Sequence, residues 1–237
     1  MSAENRARAR ASQWSDGALA ILPVAAAASP FGLLLGAMAA QKGLSPLETT
    51  FMSATVFAGS SQFVAVDLWS ASIAVATIVF ATFLVNTRHI LMGVSLLPKM
   101  GAFAPRTKPL ALFFLADEIW ALAEQRARTQ ELRPSYYFGM AITLYCGWLA
   151  FTLVGTFVGS GLGDPGRLGL DFAFTALFIG LLMSFRQAPR FALTVAASAV
   201  VSALVALVST GPNAIAAGAL AGIVAAAMAP RPAEAVA

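Results

Sequence analysis

The stretch Phe57-Ala58-Gly59-Ser60-Ser61-Gln62-Phe63 decides how this chain is read. It sits inside a run with no charge between Glu48 and Asp67, where a membrane-spanning helix is expected. Its centre is nevertheless a glycine, two hydroxyls and an amide. Such groups are costly in hydrocarbon unless they find partners. Serine hydroxyls can bond back to a preceding carbonyl of their own helix. Gln62 cannot be dismissed in that way, because its amide needs two or more partners. The cluster therefore marks a place where something polar is held or passed, or where a helix breaks.

The surrounding composition supports membrane depth. The 237 residues are 59% hydrophobic and 11% charged, against about 25% charged in soluble domains. Further charge-free runs cover residues 17–41, 68–87, 134–163 and 191–230. About 20 apolar residues cross a bilayer core. The last run is long enough for two spans, with Ser209-Thr210-Gly211-Pro212-Asn213 as the turn. The fold class expected is an all-α polytopic membrane protein. Full spans are expected at 17–40, 70–96, 135–158, 168–185, 190–209 and 212–229, giving one membrane domain over 17–229. Residues 1–16 and 230–237 read as cytoplasmic tails. Arg6, Arg8 and Arg10 resemble the start of a signal peptide, but the apolar segment after them is long and contains Pro23 and Pro30. It reads as a retained span.

Loop charges order these spans. With the N-terminus in the cytoplasm, and with 49–66 dipping in and returning to the same side, Lys99, Arg106, Lys108, Arg126, Arg128, Arg133, Arg186, Arg190 and Arg231 all fall inside. Only Lys42 and Arg167 fall outside. Making 49–66 and 109–123 full spans moves Lys99, Arg106 and Lys108 outside. The positive-inside bias favours six spans plus a re-entrant segment over seven or eight spans. Residues 49–58, if helical, rise about 15 Å, so Gly59-Ser60-Ser61 would turn near the midplane. A second break is expected in the first span at Ser29-Pro30-Phe31-Gly32, because proline removes a backbone donor and frees a carbonyl one turn earlier. An ordinary kink is the alternative. Gly32 and Gly36 form a small-xxx-small pair suited to tight packing, as do Gly147, Gly155 and Gly159, then Gly218 and Gly222.

Other polar groups lie near the same depth. Asn86 and His89 share a helix face, and Arg88 points elsewhere. His89 is the only histidine and suits a proton-coupling or gating role, against a packing role near the inner interface. Asp117 and Glu118 are the only acids in an apolar segment. They pair with Arg88 as a structural or gating ion pair, or lie in water along the cytoplasmic surface. Several function classes drop out. There is no GxxxxGK[ST], HExxH or GxSxG. One histidine and one cysteine exclude a disulfide and make a metal site implausible. Basic residues form no patch alternating with aromatics, so no nucleic acid is expected. An enzyme would need Ser60 or Ser61 aligned with His89, and nothing aligns them. No cofactor is expected, and this chain binds no ATP.

The motif blocks resemble those of the AzlC family. They are Pro30-Phe31-Gly32, Gly43-Leu44-Ser45 with Glu48, Met52-Ser53, Val56 to Phe63, and Asn86-Thr87-Arg88-His89 with Leu91-Met92. Gly147-Trp148 and Gly169 to Phe174 follow in the same order. The likeness covers about residues 17–228. It implies the large subunit of a branched-chain amino acid transporter, chiefly an exporter in the cytoplasmic membrane, working with a small AzlD-like membrane subunit. The implied substrate is apolar and zwitterionic: valine, leucine, isoleucine or methionine. Its carboxylate would meet N–H groups at Gly59-Ser60-Ser61 or the two hydroxyls. Its ammonium would meet carbonyls freed near Pro30 or Gly59, or the oxygens of Gln62 and Asn86. Phe31, Phe57 and Phe63, with Gly32 close by, would form the apolar pocket. A membrane scaffold whose partner carries the pathway is the alternative. It requires Ser60, Ser61, Gln62 and Asn86 to be fully bonded to protein with no cavity between them.

Overall fold

The computed structural model describes residues 3–69, 75–161, 190–209 and 213–228, with isolated positions between 172 and 186. Among the described residues there are helices and no strand. Three helices dominate the first two-thirds of the chain: α1 (Ala3–Gln41), α4 (Val75–Leu96) and α7 (Pro134–Gly161). Between α1 and α4 lie two half-helices, α2 (Pro46–Thr55) and α3 (Gly59–Asp67). Between α4 and α7 lie two more, α5 (Thr107–Phe113) and α6 (Asp117–Thr129). A final hairpin joins α8 (Phe191–Val208) to α9 (Asn213–Met228).

Four described helices are long and apolar enough to cross a bilayer: Ala11–Gln41, Val75–Lys99, Pro134–Gly161 and Phe191–Val208. Each coincides with an expected span. α9 is apolar but shorter, at 16 residues, and the expected span at 168–185 lies outside the continuously described residues. Phe80, Phe83, Ile90, Leu91 and Val94 of α4 are all exposed, and α8 has no buried residue. Apolar surface on that scale is covered by lipid rather than water.

α1 and α7 run parallel and nearly touch. A Cβ on Gly17 would fall on the Tyr136 carbonyl, one on Gly36 on the Thr152 carbonyl, one on Gly155 on the Leu33 carbonyl and one on Gly159 on the backbone of Ala37. Without a hydrophobic drive between helices in lipid, such backbone proximity supplies dispersion and weak Cα–H contacts instead. Gly147 meets nothing within 4 Å, so it does not belong to this seam as its spacing suggested. Gly218 and Gly222 face Ser198, Ser202 and Thr194 and bring α8 and α9 together.

The expected break in the first span does not occur. α1 is helical through both Pro23 and Pro30. Pro30 has no N–H for the carbonyl of Ala26, four residues back, but the Ser29 hydroxyl donates to that carbonyl at 2.7 Å. The neighbouring side chain thus stands in for the missing donor, and the helix continues.

The break does occur between α2 and α3, though earlier than Gly59-Ser60-Ser61. It falls at Val56–Ala58, and Gly59 opens α3. α2 starts with a capping box. The Glu48 N–H donates to Ser45 Oγ at 3.2 Å, and the Ser45 N–H donates to Glu48 Oε2 at 2.8 Å. The Ser45 hydroxyl also donates to Glu48 Oε2 at 2.7 Å, and this bond, with the one from the Ser45 N–H, holds the Glu48 carboxyl below its usual pKa. The far end of α3 returns to the end of α1, where Lys42 Nζ donates to the Asp67 carbonyl at 2.9 Å. Leu35, Met38, Ala39, Leu44, Phe63 and Val66 form a core there, with Trp69 packed against it. Residues 46–67 therefore enter and leave on one side of the molecule.

A second hairpin mirrors the first. α6 runs parallel to α4: Arg88 pairs with Asp117 at 2.6 Å, Trp120 Nε1 donates to Ser95 Oγ at 2.8 Å, and Lys99 pairs with Glu124. α5 approaches from the Lys99 end, with Leu112 beside Gly93 and the Ala111 carbonyl accepting from Tyr137 Oη at 2.7 Å. Residues 109–123 are therefore neither a full span nor one surface helix. A helix followed by a broken hairpin occurs twice, in opposite directions.

Two expectations follow. Gly155→Leu places atoms on the backbone of α1, which cannot move aside, and should cost about 3 kcal/mol or more. Gly147→Leu should cost nothing measurable; thermal midpoints in detergent compare the two. Single cysteines replacing Lys42 and Asp67, in a Cys146→Ala background, should react with an impermeant thiol reagent from the same membrane face. A cysteine at Lys99 should react from the other. Labelling of positions 42 and 67 from opposite faces would refute the first hairpin.

Candidate functional site

The two helix breaks meet at one cleft. Its wall comprises Ala28 and Phe31 of α1, Phe57 to Ser60 and Phe63 of the first hairpin, Arg88 and His89 of α4, Ala116 to Glu118 of the second hairpin, and Leu144 and Trp148 of α7. Its cavity volume, as room for the centres of water-sized molecules, is about 90 Å³. The Tyr145 hydroxyl donates to the Ala54 carbonyl at 2.9 Å, which pins the end of α2 to α7. Because α1 and α7 are in parallel register, this sets the cleft level with the middle of α1.

The cleft has two chemical ends. Phe31, Phe57, Phe63, Leu144 and Trp148 are apolar. Phe57 stacks edge-on against Tyr145 with centroids 5.2 Å apart, and Tyr145 does the same with Phe114 of the second break, also at 5.2 Å. The polar end is a chain of bonds. Arg88 Nη2 donates to Ser60 Oγ, and Arg88 Nη1 pairs with Asp117 Oδ2 at 2.6 Å. Glu118 lines the cleft beside this pair, and His89 sits by the carbonyls of Asn86 and Leu115.

Both half-helices that start at the cleft have an alanine at the N-cap, Ala58 and Ala116, and neither has a capping side-chain bond. The first N–H groups of a helix have no intrahelical acceptor, so uncapped starts leave donors aimed at the cleft. α6 offsets its positive end with Asp117 and Glu118 in its first turn. α3 has no acid in its first turn. The α3 start and Arg88 thus form a positive pole, and Glu118 with Asp117 a negative one.

The structure divides the residues singled out from sequence. Phe31, Phe57, Gly59, Ser60, Phe63, Arg88, His89, Asp117 and Glu118 line the cleft. Ser61, Gln62 and Asn86 do not. The Ser61 hydroxyl donates to Asn86 Oδ1. Gln62 Nε2 donates to Ser53 Oγ at 2.8 Å, and Gln62 Oε1 accepts from Trp148 Nε1 at 2.9 Å. Ser61 and Gln62 are both buried. These polar groups hold α2, α3, α4 and α7 in place. Gly32 faces Phe151 and Thr152 of α7, and Pro30 is exposed; neither lines the cleft. Gly59 is close to the indole of Trp148, and a Cβ there would stand 3.0 Å from it.

Leu144, Trp148, Ala28, Ala58 and Ala116 were not foreseen from the sequence as lining residues. Trp148 carried a signal, an indole N–H in an apolar helix that needed an acceptor. The others carry no signal, since an alanine lining a cleft looks like one packed against a helix. Among the described residues no group of acids, histidine and cysteine is arranged to hold a metal.

Comparison with known proteins agrees with the motif blocks. The family model described as AzlC protein matches residues 23–162, which contain both hairpins and the whole cleft lining. The chain is 31% identical over 188 residues to the inner membrane protein YgaZ of Escherichia coli (strain K12), covering 76% of this chain and 77% of that one. It is 29% identical over 160 residues to the branched-chain amino acid transport protein AzlC of Bacillus subtilis (strain 168), covering 67% and 62% respectively. A Helicobacter pylori (strain J99) protein named only as an uncharacterized membrane protein is 32% identical over 153 residues, covering 64% and 66%. No solved structure matches significantly. This polytopic helical membrane protein belongs to the AzlC family.

Proposed function

We propose that the chain is the substrate-carrying subunit of a secondary transporter that exports branched-chain amino acids, and methionine with them, across the cytoplasmic membrane. The observation that carries this reading is the cleft between the two broken hairpins. It sets a positive pole and a negative pole beside an apolar wall at the depth of the membrane centre. A branched-chain amino acid is a carboxylate, an ammonium and a branched apolar group on one carbon. The carboxylate goes to the uncapped start of α3 and to Arg88. The ammonium goes to Glu118, assisted by Asp117. The side chain lies against Phe31, Phe57, Phe63 and Trp148.

Half-helix ends at the midplane serve this purpose in many secondary transporters, and oppositely directed repeats suit alternating access. The name of the Bacillus subtilis relative gives the same substrate class. A small AzlD-like membrane subunit is the proposed partner, and an ion or substrate gradient the energy source. His89, with the Arg88–Asp117 pair, is assigned to gating or proton coupling. We place six full spans and two re-entrant hairpins in the bilayer, with both termini in the cytoplasm. Arg126, Arg128 and Arg133 then lie inside, as the positive-inside bias requires.

Efflux of valine from preloaded cells tests the proposal, with and without the small subunit and at matched membrane levels of this chain. Losing a charge-assisted bond to substrate costs about 1.5–3 kcal/mol, which is about tenfold or more in affinity. Glu118→Gln and Arg88→Gln should each reduce efflux by about that factor. Normal efflux in both would remove the cleft from the pathway. Failure of any amino acid to move, in every combination, would favour the scaffold reading, with which the bonds of Ser61, Gln62 and Asn86 to other protein side chains agree. Gln62→Ala should behave differently. It strands Ser53 and the Trp148 indole and should lower the thermal midpoint and the amount in the membrane. Efflux per molecule that does fold should stay near normal.

A further inference from the structure

A second polar cleft lies away from the transport site, where α1, α6 and α7 converge. Gln13, Arg126, Gln130, Glu131, Arg133 and Tyr136 line it. We propose that it binds the phosphate of an anionic glycerophospholipid headgroup from the surrounding leaflet.

Its depth is right. The candidate spans begin at Ala11 and Pro134, so Gln13 and Tyr136 each lie two residues inside a span, at headgroup level. Trp14, adjacent to Gln13, is 43% exposed, as interfacial tryptophans are. Its chemistry is right too. The Arg126 guanidinium lies 4.4 Å from the centroid of the Tyr136 ring. Stacking occupies its face and leaves its edge to donate. Arg126 Nε is buried and has no hydrogen-bond partner. An arginine fork with a free in-plane edge matches a phosphate diester, which accepts two parallel N–H bonds.

The rest of the cleft complements this group. Arg133 supplies a second guanidinium. Among the described residues its side chain pairs with Glu131 alone, at 3.1 Å, and both side chains are more than half exposed, so water screens that pair heavily. Two guanidiniums against one carboxylate leave a positive balance. Gln13 is held in place by the Ser135 hydroxyl, which donates to its Oε1 at 2.9 Å; its amide N–H groups remain for the ligand. Basic pockets between spans on the arginine-rich side are where anionic headgroups settle.

The test uses the full chain, purified and delipidated in a neutral detergent. Phosphatidylglycerol, phosphatidylcholine or inorganic phosphate is then added and the thermal midpoint read. Phosphatidylglycerol should raise the midpoint by about 5 °C, the shift of a ligand well above its dissociation constant on a chain of this size. The Arg126→Gln/Arg133→Gln double variant should lose most of that shift while keeping its lipid-free midpoint. If the double variant fails to fold, Arg133→Gln alone is read in its place, because the Arg133 side chain is more than half exposed and its ion pair is with exposed Glu131. The proposal fails if phosphatidylcholine stabilises equally, or if the variant keeps the full shift. It also fails if inorganic phosphate alone reproduces the effect, which would assign the cleft to a free anion.

Discussion

A helix interrupted at membrane depth must find partners for the polar groups that the interruption frees, and the side chain of Gln62 is where this chain meets that requirement. Its amide joins Ser53 on the arm entering the first hairpin to Trp148 on α7, while its own backbone belongs to the returning arm. Tyr145 satisfies the Ala54 carbonyl just before the break. Ser61 and Asn86 tie the returning arm to α4. Each bond contributes modestly, about 1 kcal/mol net, but leaving any one of these buried groups unpaired costs more. The network therefore allows one arrangement of the hairpin and penalises the rest.

That arrangement needs a rigid backing, and the α1–α7 seam supplies it. Glycines let the two backbones come together along most of their length. The continuity of α1 through Pro30 matters here, because a broken α1 would put Gly32 and Gly36 out of register with α7. The Ser29 hydroxyl, by occupying the carbonyl that proline abandons, protects the seam on which the hairpins rest. The second hairpin is held differently, by charge: Arg88 to Asp117 near the middle of α4 and Lys99 to Glu124 just past its end. In a low-dielectric setting such pairs specify register more than they add stability. Arg88 also reaches Ser60, so one guanidinium bridges both hairpins and sets the polar end of the cleft.

Much of this was visible in the residues. The charge-free runs located the long helices because hydrocarbon excludes unpaired charge. The hydroxyl and amide cluster at Ser60–Gln62 announced a break because such groups must be bonded at that depth. Loop charges pointed to a return of 49–66 to its own side, and Lys42 against Asp67 agrees with that path. Arg88 was foreseen as a partner for Asp117 and is one. The second hairpin was not legible. Residues 107–129 are too short and too charged to look like a membrane element, and only their packing along α4 reveals the hairpin.

Sequence by itself determined the solvent of this protein, the places of its long helices and the stretch that could not be an ordinary helix. Those properties follow from local chemistry, the cost of moving each group from water to hydrocarbon. Tertiary structure decided which polar groups are used up and which remain free. Gln62 and Asn86 look from sequence like ligands for a substrate, yet they are spent on Ser53, Trp148 and Ser61. Glu118 looks like half of a structural pair, yet it opens on the cleft. A polar side chain in a membrane protein serves the fold or the cargo according to what stands within 3 Å of it, and helices far apart in the chain supply those neighbours.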